Sequence, residues 1–160
     1  RAFEALKHDG KILAWGVSNF DVADLELALE SAGEGVIACN QVLYHLDERD
    51  AEHCLQVFCE RHRIAFVGYS PLGSGRFPGP RSEGGKVLRA IAKAHGVTPQ
   101  AVALAFLTRR PGSFTIPKSS DPAHVDDLAR AGDLALAPGE LAAIDAAFPL
   151  GPPRSELPTL

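Results

Sequence analysis

The sequence predicts an α/β chain built around a parallel sheet, and three observations carry that prediction. Four short apolar runs, residues 11–18, 35–42, 64–70 and 113–116, have the length and composition of buried strands. Stretches with helical spacing and capping residues separate them. Strands that alternate with helices make a parallel sheet, because each crossover returns the chain to the end where it started. The composition agrees. Of 160 residues, 46% are hydrophobic and 22% charged, which is globular and excludes a disordered or fibrous chain.

The elements follow in order. Residues 1–7 read as helix. Residues 11–18 form a strand ending in Ser18, with Trp15 as a core position. Asp21 caps a helix whose apolar positions are Leu25, Ala28, Leu29 and Ala32, and Gly33 ends it. Residues 35–42 are the second strand. Residues 50–62 are predicted as one helix with Leu55, Phe58 and Cys59 on one side. Residues 64–70 are the third strand, and 71–85 a loop rich in Gly and Pro. Residues 86–95 are helical and stop at Gly96. Thr98 caps the next helix, with Pro99 at its first position and Val102, Ala105 and Phe106 on one face. Residues 113–116 are the fourth strand, Asp121-Pro122 opens a helix ending at Gly132, and residues 138–148 form the last one. The four-proline tail, 149–160, has no period and is a loop.

The net charge of −4 gives no basic footprint for nucleic acid. No apolar run approaches the roughly 18 residues of a membrane span. Three cysteines without a regular framework predict a reducing, cytoplasmic setting. His53, Cys54, Cys59 and His62 imitate a metal set, but on a helix Cys54 and Cys59 lie roughly 140° apart. They read as ordinary thiols and imidazoles, with no metal. The chain contains no Met and begins at Arg1 inside a helical stretch, so a piece of a longer protein is expected.

Two architectures fit this pattern: an open doubly wound sheet and part of a (β/α)8 barrel. Both bind ligands at the carboxyl ends of their strands. Those ends carry hydrogen-bonding residues: Ser18-Asn19, Asn40-Gln41, Tyr69-Ser70 and Lys118-Ser119-Ser120. Asn19 and Asn40 are the only asparagines. Amides, hydroxyls and an aromatic ring at one mouth suit a flat polar heteroaromatic ligand. Lys118 and two hydroxyls just before a helix start suit a phosphate. The loop Gly73-Ser74-Gly75-Arg76-Phe77-Pro78-Gly79 is not a dinucleotide fingerprint, because Pro78 stands where the third glycine belongs.

Four motifs resemble those of the aldo-keto reductases, in order and at the family's spacing. They are Gly16-Val17-Ser18-Asn19-Phe20, Asn40-Gln41-Val42-Leu43-Tyr44-His45, Gly68-Tyr69-Ser70-Pro71-Leu72-Gly73 and Ile116-Pro117-Lys118-Ser119-Ser120. The resemblance runs from Phe3 to Phe148. It implies a (β/α)8 barrel of which residues 1–160 are the C-terminal half: strands five to eight, the last helix and the tail. A full barrel takes about 250 residues. The implied cofactor is NADPH, with NADH left open. The resemblance implies that Ser18, Asn19 and Gln41 hold the nicotinamide carboxamide and that Tyr69 stacks on its ring. Ser70, Leu72 and Ser74 would line the pyrophosphate path. Lys118, Ser119 and Ser120 would hold the adenosine 2′-phosphate. His124 stands where many relatives have Arg, Asp127 matches the adenine-side carboxylate, and Leu128 replaces the usual Asn. The implied partner is a small carbonyl substrate.

The family draws its catalytic Asp, Tyr, Lys and His from the other half of the barrel. Tyr44 and Tyr69 are the only tyrosines here and both match other motif positions. The resemblance therefore implies that this chain alone does not catalyse carbonyl reduction. His45 and His95 read as structural or exposed. Four strands leave two open edges, so pairing with a second copy is the alternative expectation.

Overall fold

A computed structural model describes residues 1–160. Seven α-helices and four strands alternate: α1 (Ala2–His8), β1 (Trp15–Ser18), α2 (Val22–Ala32), β2 (Ile37–Leu43), α3 (Leu55–Arg61), β3 (Ala65–Tyr69), α4 (Glu83–His95), α5 (Pro99–Leu107), β4 (Ser113–Thr115), α6 (Pro122–Ala129) and α7 (Pro138–Ala147). The strands form one sheet in the order β1-β2-β3-β4, and every pairing is parallel. This bears out the parallel α/β prediction.

The caps act where the sequence places them. Asp21 and Asp24 form a reciprocal box at the start of α2. The side chains of Ser82, Thr98 and Asp121 accept backbone N–H groups at the starts of α4, α5 and α6. Gly96 ends α4 in the left-handed region, at φ +66°.

The main core lies between one face of the sheet and the helices. Leu25 and Leu29 of α2, Leu55 and Cys59 of α3, Leu88 and Ile91 of α4, and Val102 and Phe106 of α5 pack there with Ile144 and Phe148. The register explains which strand residues join them. Asn40, Phe66 and Ser113 lie in one row and are buried, while Gln41, Val67 and Phe114 lie in the next row and point to the other face. That other face is open: Gln41 and Phe114 are exposed.

Several boundaries differ from the sequence reading, among them that of α6, which ends at Ala129 and passes into a 3-10 turn, Arg130–Asp133, where one helix to Gly132 is expected. Residues 11–14 are not strand; they lie beyond the part of β1 that pairs with β2, and Leu13 is exposed. β2 runs on to Leu43, so Asn40 and Gln41 lie inside it. The single helix expected over 50–62 is a 3-10 turn (Asp50–Glu52) and then α3. The chain breaks at Cys54, φ −146°, and the Glu52 side chain turns inward to two arginines. α4 begins at Glu83, three residues before Lys86. Its first turn uses Gly84 and Gly85, where a Cβ would lie 2.2 Å from the Phe148 ring and 2.0 Å from the Gly79 carbonyl.

A buried polar cluster ties β2, α5 and α7 together. Arg49 grips Glu52 through Nε and Nη2, at 2.8 and 2.9 Å. Its Nη1 donates to the Phe148 carbonyl at 2.8 Å and its Nη2 to Asp145 at 2.6 Å. Arg109 reaches the same carboxylate at 2.7 Å, and the Tyr44 hydroxyl donates to it at 2.5 Å. The Phe106 ring carries both guanidinium groups, their carbons 4.9 and 3.9 Å from its centroid. Burial opposes ionisation of Glu52. Hydrogen bonds from Arg49 and Tyr44 and the charges of both arginines outweigh it and hold the carboxyl down at about 2. Burial first, then the Glu52 carboxylate, pushes the Tyr44 phenol well above its ordinary value.

His53 and His62, which imitate metal ligands in the sequence, have separate partners. His53 meets the Gly151 carbonyl at 3.1 Å and His62 meets Glu34 at 3.1 Å. Cys54 is exposed and Cys59 is buried; burial pushes the Cys59 thiol up to about 12. His95 bonds Glu140 at 2.8 Å, joining α4 to α7. His45 is buried, and burial lowers its pKa. No helix is long and apolar enough to cross a membrane.

Candidate functional site

The parallel order puts the carboxyl ends of all four strands at one edge of the sheet, where most of the singled-out residues gather in three groups. The first is a hydrogen-bonded mouth across β1, β2 and β3. The Asn19 backbone N–H donates to the Gln41 carbonyl at 2.8 Å, and the Ser18 hydroxyl donates to the same oxygen at 2.9 Å. Asn19 holds the left-handed region at φ +57°, which Asn tolerates better than most residues. The Tyr69 hydroxyl donates to Asn19 Oδ1 at 3.1 Å, so the ring is fixed at the end of β3. Gln41 is exposed beside them.

Asn40 does not join this mouth, which corrects the reading of the Asn40-Gln41 end. It is fully buried, its Nδ2 donates to the Phe20 carbonyl at 2.8 Å, and its Oδ1 accepts the Phe20 N–H at 3.4 Å. Its side chain points to the helix side, one residue out of phase with Gln41, and clamps the β1–α2 connection.

The second group is the loop after β3. Ser70 and Ser74 are both left-handed, at φ +52° and +50°, and Ser74 donates to the Ser70 hydroxyl at 3.0 Å. A Ser70 carbonyl to Gly73 N–H bond of 2.8 Å closes the turn, with Gly73 at φ +74°.

The third group lines a cavity of about 330 Å³ where α5, α6, the β4–α6 connection and the β3–α4 loop meet. Leu72, Lys118, Ser119, His124 and Asp127 all line it. Leu72 and Leu128 rest on a small second core of Ala101, Leu104 and Ala131, which fixes the apolar part of the lining. Lys118 and His124 are exposed cations or potential cations at its rim. Ser119 accepts the Asp121 N–H at 3.1 Å, and Asp121 caps α6. Ser120 is exposed and does not line the cavity.

The structure adds Thr98 and Gln100 to the lining. The Thr98 hydroxyl hydrogen-bonds Asp127 Oδ2 while accepting the Ala101 N–H, so one cap residue joins α5 to α6. Sequence reading found Thr98 as a cap only. It gave Gln100 no role, because nothing local shows that the start of α5 faces α6.

The site thus offers a flat ring with amides at one end of a strand edge and, at the other, a mostly polar cavity with two leucines and cationic groups in its lining. Such an arrangement accommodates an extended, anionic ligand with ring systems. Comparison with known proteins gives it a context. The sequence model described as the aldo/keto reductase family matches residues 1–148. Methylglyoxal reductase YeaE of Escherichia coli is 38% identical over 149 residues, covering 92% of this chain and 52% of that protein. Aldo-keto reductase family 1 member D1 of Oryctolagus cuniculus is 34% identical over 152 residues, 91% of this chain and 46% of that one. The chain spans about half the length of the curated relatives it matches. A crystal structure of an aldo-keto reductase from Klebsiella pneumoniae in complex with NADPH superposes with a TM-score of 0.89 at 35% identity. It covers 99% of this chain and 56% of that one. The four parallel strands, the strand-edge site and these matches place the chain in the aldo/keto reductase family.

Proposed function

We propose that this chain is the cofactor-binding half of an NADPH-dependent reductase of aldehydes or ketones, and that its strands are the fifth to eighth of a closed barrel in a cytoplasmic enzyme. The observation that carries this reading is the lining of one strand edge. The Tyr69–Asn19 mouth, and the connections that bring Leu72 and Lys118 to the cavity, all follow the carboxyl ends of strands of one parallel sheet. The donor set fits the group: a fixed aromatic ring with amides for a nicotinamide, and a lysine in a cavity lined by Leu72, Leu128 and polar groups for a phosphorylated adenosine. When bound, NADPH supplies the hydride.

The chain's own residues bind and orient. Tyr69 offers a ring face whose rotation the Asn19 bond restrains. Ser18, Asn19 and Gln41 offer hydrogen bonds to a carboxamide. Ser70, Leu72 and Ser74 line the path between the two ends. Lys118 and Ser119 face the 2′-phosphate, with Ser120 beside them and His124 and Asp127 on α6. A lysine–phosphate contact is charge-assisted and favours the 2′-phosphorylated cofactor over NADH.

No tyrosine of this chain is proposed as the proton donor. The Tyr44 hydroxyl is spent on Glu52 in a buried cluster and its phenol resists ionisation. Tyr69 belongs to the mouth. The proton donor is assigned to the other half of the barrel, as is half of the substrate pocket.

Fluorescence titration of this chain tests the reading. Weak binding is expected, stronger for NADPH than for NADH, and Lys118→Ala abolishes the difference. Equal binding of the two, or none at millimolar cofactor, refutes it. No oxidation of NADPH with an aldehyde is expected from the chain alone, and turnover would show that the proton donor lies within it.

A second reading is a half-barrel that pairs with a second copy. The open sheet face favours it: Phe114 is 55% exposed there and Ile116, just beyond β4, is 48% exposed. Parallel sheets ordinarily have both faces covered. Sedimentation that shows a monomer at every concentration removes this reading.

A further inference from the structure

We infer that residues 149–154 form a strap across the β2–α3 connection, fixed at its root and held shut at its far end by a salt-sensitive latch between Arg154 and Glu48. The connection follows the carboxyl end of β2, so the strap lies at the same end of the sheet as the Tyr69–Asn19 mouth. Its two ends are held differently. The root is buried: Arg49 Nη1 donates to the Phe148 carbonyl at 2.8 Å, the Phe148 N–H donates to the Ile144 carbonyl at 2.9 Å, and the Phe148 ring packs in the main core. The far end is ionic and reached by solvent. Arg154 Nη1 donates to Glu48 Oε2 at 2.8 Å, with the Arg154 side chain 55% exposed and that of Glu48 11% exposed. The Arg154 backbone N–H donates to Asp50 Oδ1 at 2.9 Å. Between the ends, His53 Nε2 donates to the Gly151 carbonyl at 3.1 Å.

The receiving end is fixed by its own bonds. Glu48 and His45 exchange backbone hydrogen bonds of 2.9 and 3.1 Å, and Glu48 Oε1 accepts the Asp50 N–H at 3.3 Å, which leaves Oε2 to Arg154. The strap is stiff, because Pro149, Pro152 and Pro153 fix their own φ, and Gly151 supplies the bend at φ +70°. A cavity of about 170 Å³ lies between strap and connection, so the anchors, more than packed side chains, carry the attachment. Beyond the latch, Leu157 is half-buried against the main core and shares the position that Arg154 sets. A stiff segment held at few points opens as a unit: loss of the Glu48 pair also loosens the Asp50 bond. Salt screens an ion pair that solvent reaches and leaves the buried root alone, so ionic strength sets how often the strap is open.

Amide hydrogen exchange of the chain, followed residue by residue by NMR, tests the latch. The amide of residue 154 reports the far end and that of Phe148 the root. Glu48→Gln, which keeps the shape and removes the charge, is expected to speed exchange at residue 154 about fivefold and to leave Phe148 unchanged. Arg154→Gln should do the same once corrected for the intrinsic rate of the new residue, and the double variant should be no faster than either single one. Salt at about 1 M, where the screening length is about 3 Å, should bring the native rate at residue 154 towards that of Glu48→Gln and leave the variant's rate unchanged. The salt arm uses the native chain, so it stands even if a variant fails to fold; circular dichroism checks the variants. Exchange at residue 154 that ignores both salt and Glu48→Gln overturns the inference, as do additive effects in the double variant. Equal acceleration at Phe148 also overturns it, because the end of α7 would then be fraying as a whole.

Discussion

Replacing Glu52 by Gln removes one negative charge from between two guanidinium groups and leaves the volume unchanged. In the native chain this carboxylate accepts from Arg49, Arg109 and Tyr44. Its side chain is 10% exposed and that of Arg49 is 4% exposed, so solvent does little to compensate for the loss. The carboxyl sits at about 2 in place of its usual 4.5. By linkage, a depressed acid stabilises the fold above its unfolded value and loses that contribution as pH falls through the folded one. Here the difference amounts to roughly 3 kcal/mol at pH 7, present above about pH 4.5 and disappearing towards pH 2. Urea unfolding followed by circular dichroism, native against Glu52→Gln, measures it. A loss of about 3 kcal/mol is expected at pH 7 and less than half of it at pH 3. A loss of under about 1 kcal/mol at pH 7 would mean that the two arginines find other partners. A loss independent of pH would mean that shape, not charge, decides, and either result would refute the account of the cluster.

Two further outcomes follow from the packing. Phe106→Ala empties a fully buried site and removes the ring on which Arg49 and Arg109 rest, so a loss of about 3–5 kcal/mol is expected by the same denaturation assay. Gly84→Ala drives a methyl group to within 2.2 Å of the Phe148 ring and is expected to cost about 1–3 kcal/mol, read as a lower Tm, whereas Gly139→Ala meets nothing within 4 Å and should be neutral or mildly stabilising.

Much of the site was legible because its chemistry is local. Ser18-Asn19, Tyr69-Ser70 and Lys118-Ser119 are adjacent pairs at strand ends, and a parallel sheet brings strand ends together without further information. Asn40 was misplaced at the mouth because strands alternate: a shift of one residue turns a side chain from one face to the other, and only the pairing with Phe66 reveals which side Asn40 takes. Gln100 was missed because its relevance depends on the approach of α5 to α6, set by the packing of Leu128 against Ala101 and Leu104.

By itself the sequence determined the alternation of strands and helices, the caps and the residue types at each strand end, since these follow from period, composition and neighbours within a few residues. The tertiary structure alone decided the partners across long separations. It paired Arg49 and Arg109 with Glu52, tied Thr98 to Asp127 and left the Gln41–Val67–Phe114 row facing outwards. Those outcomes depend on which surfaces are buried together. Burial is a property of the whole packed chain, and no local window of sequence contains it.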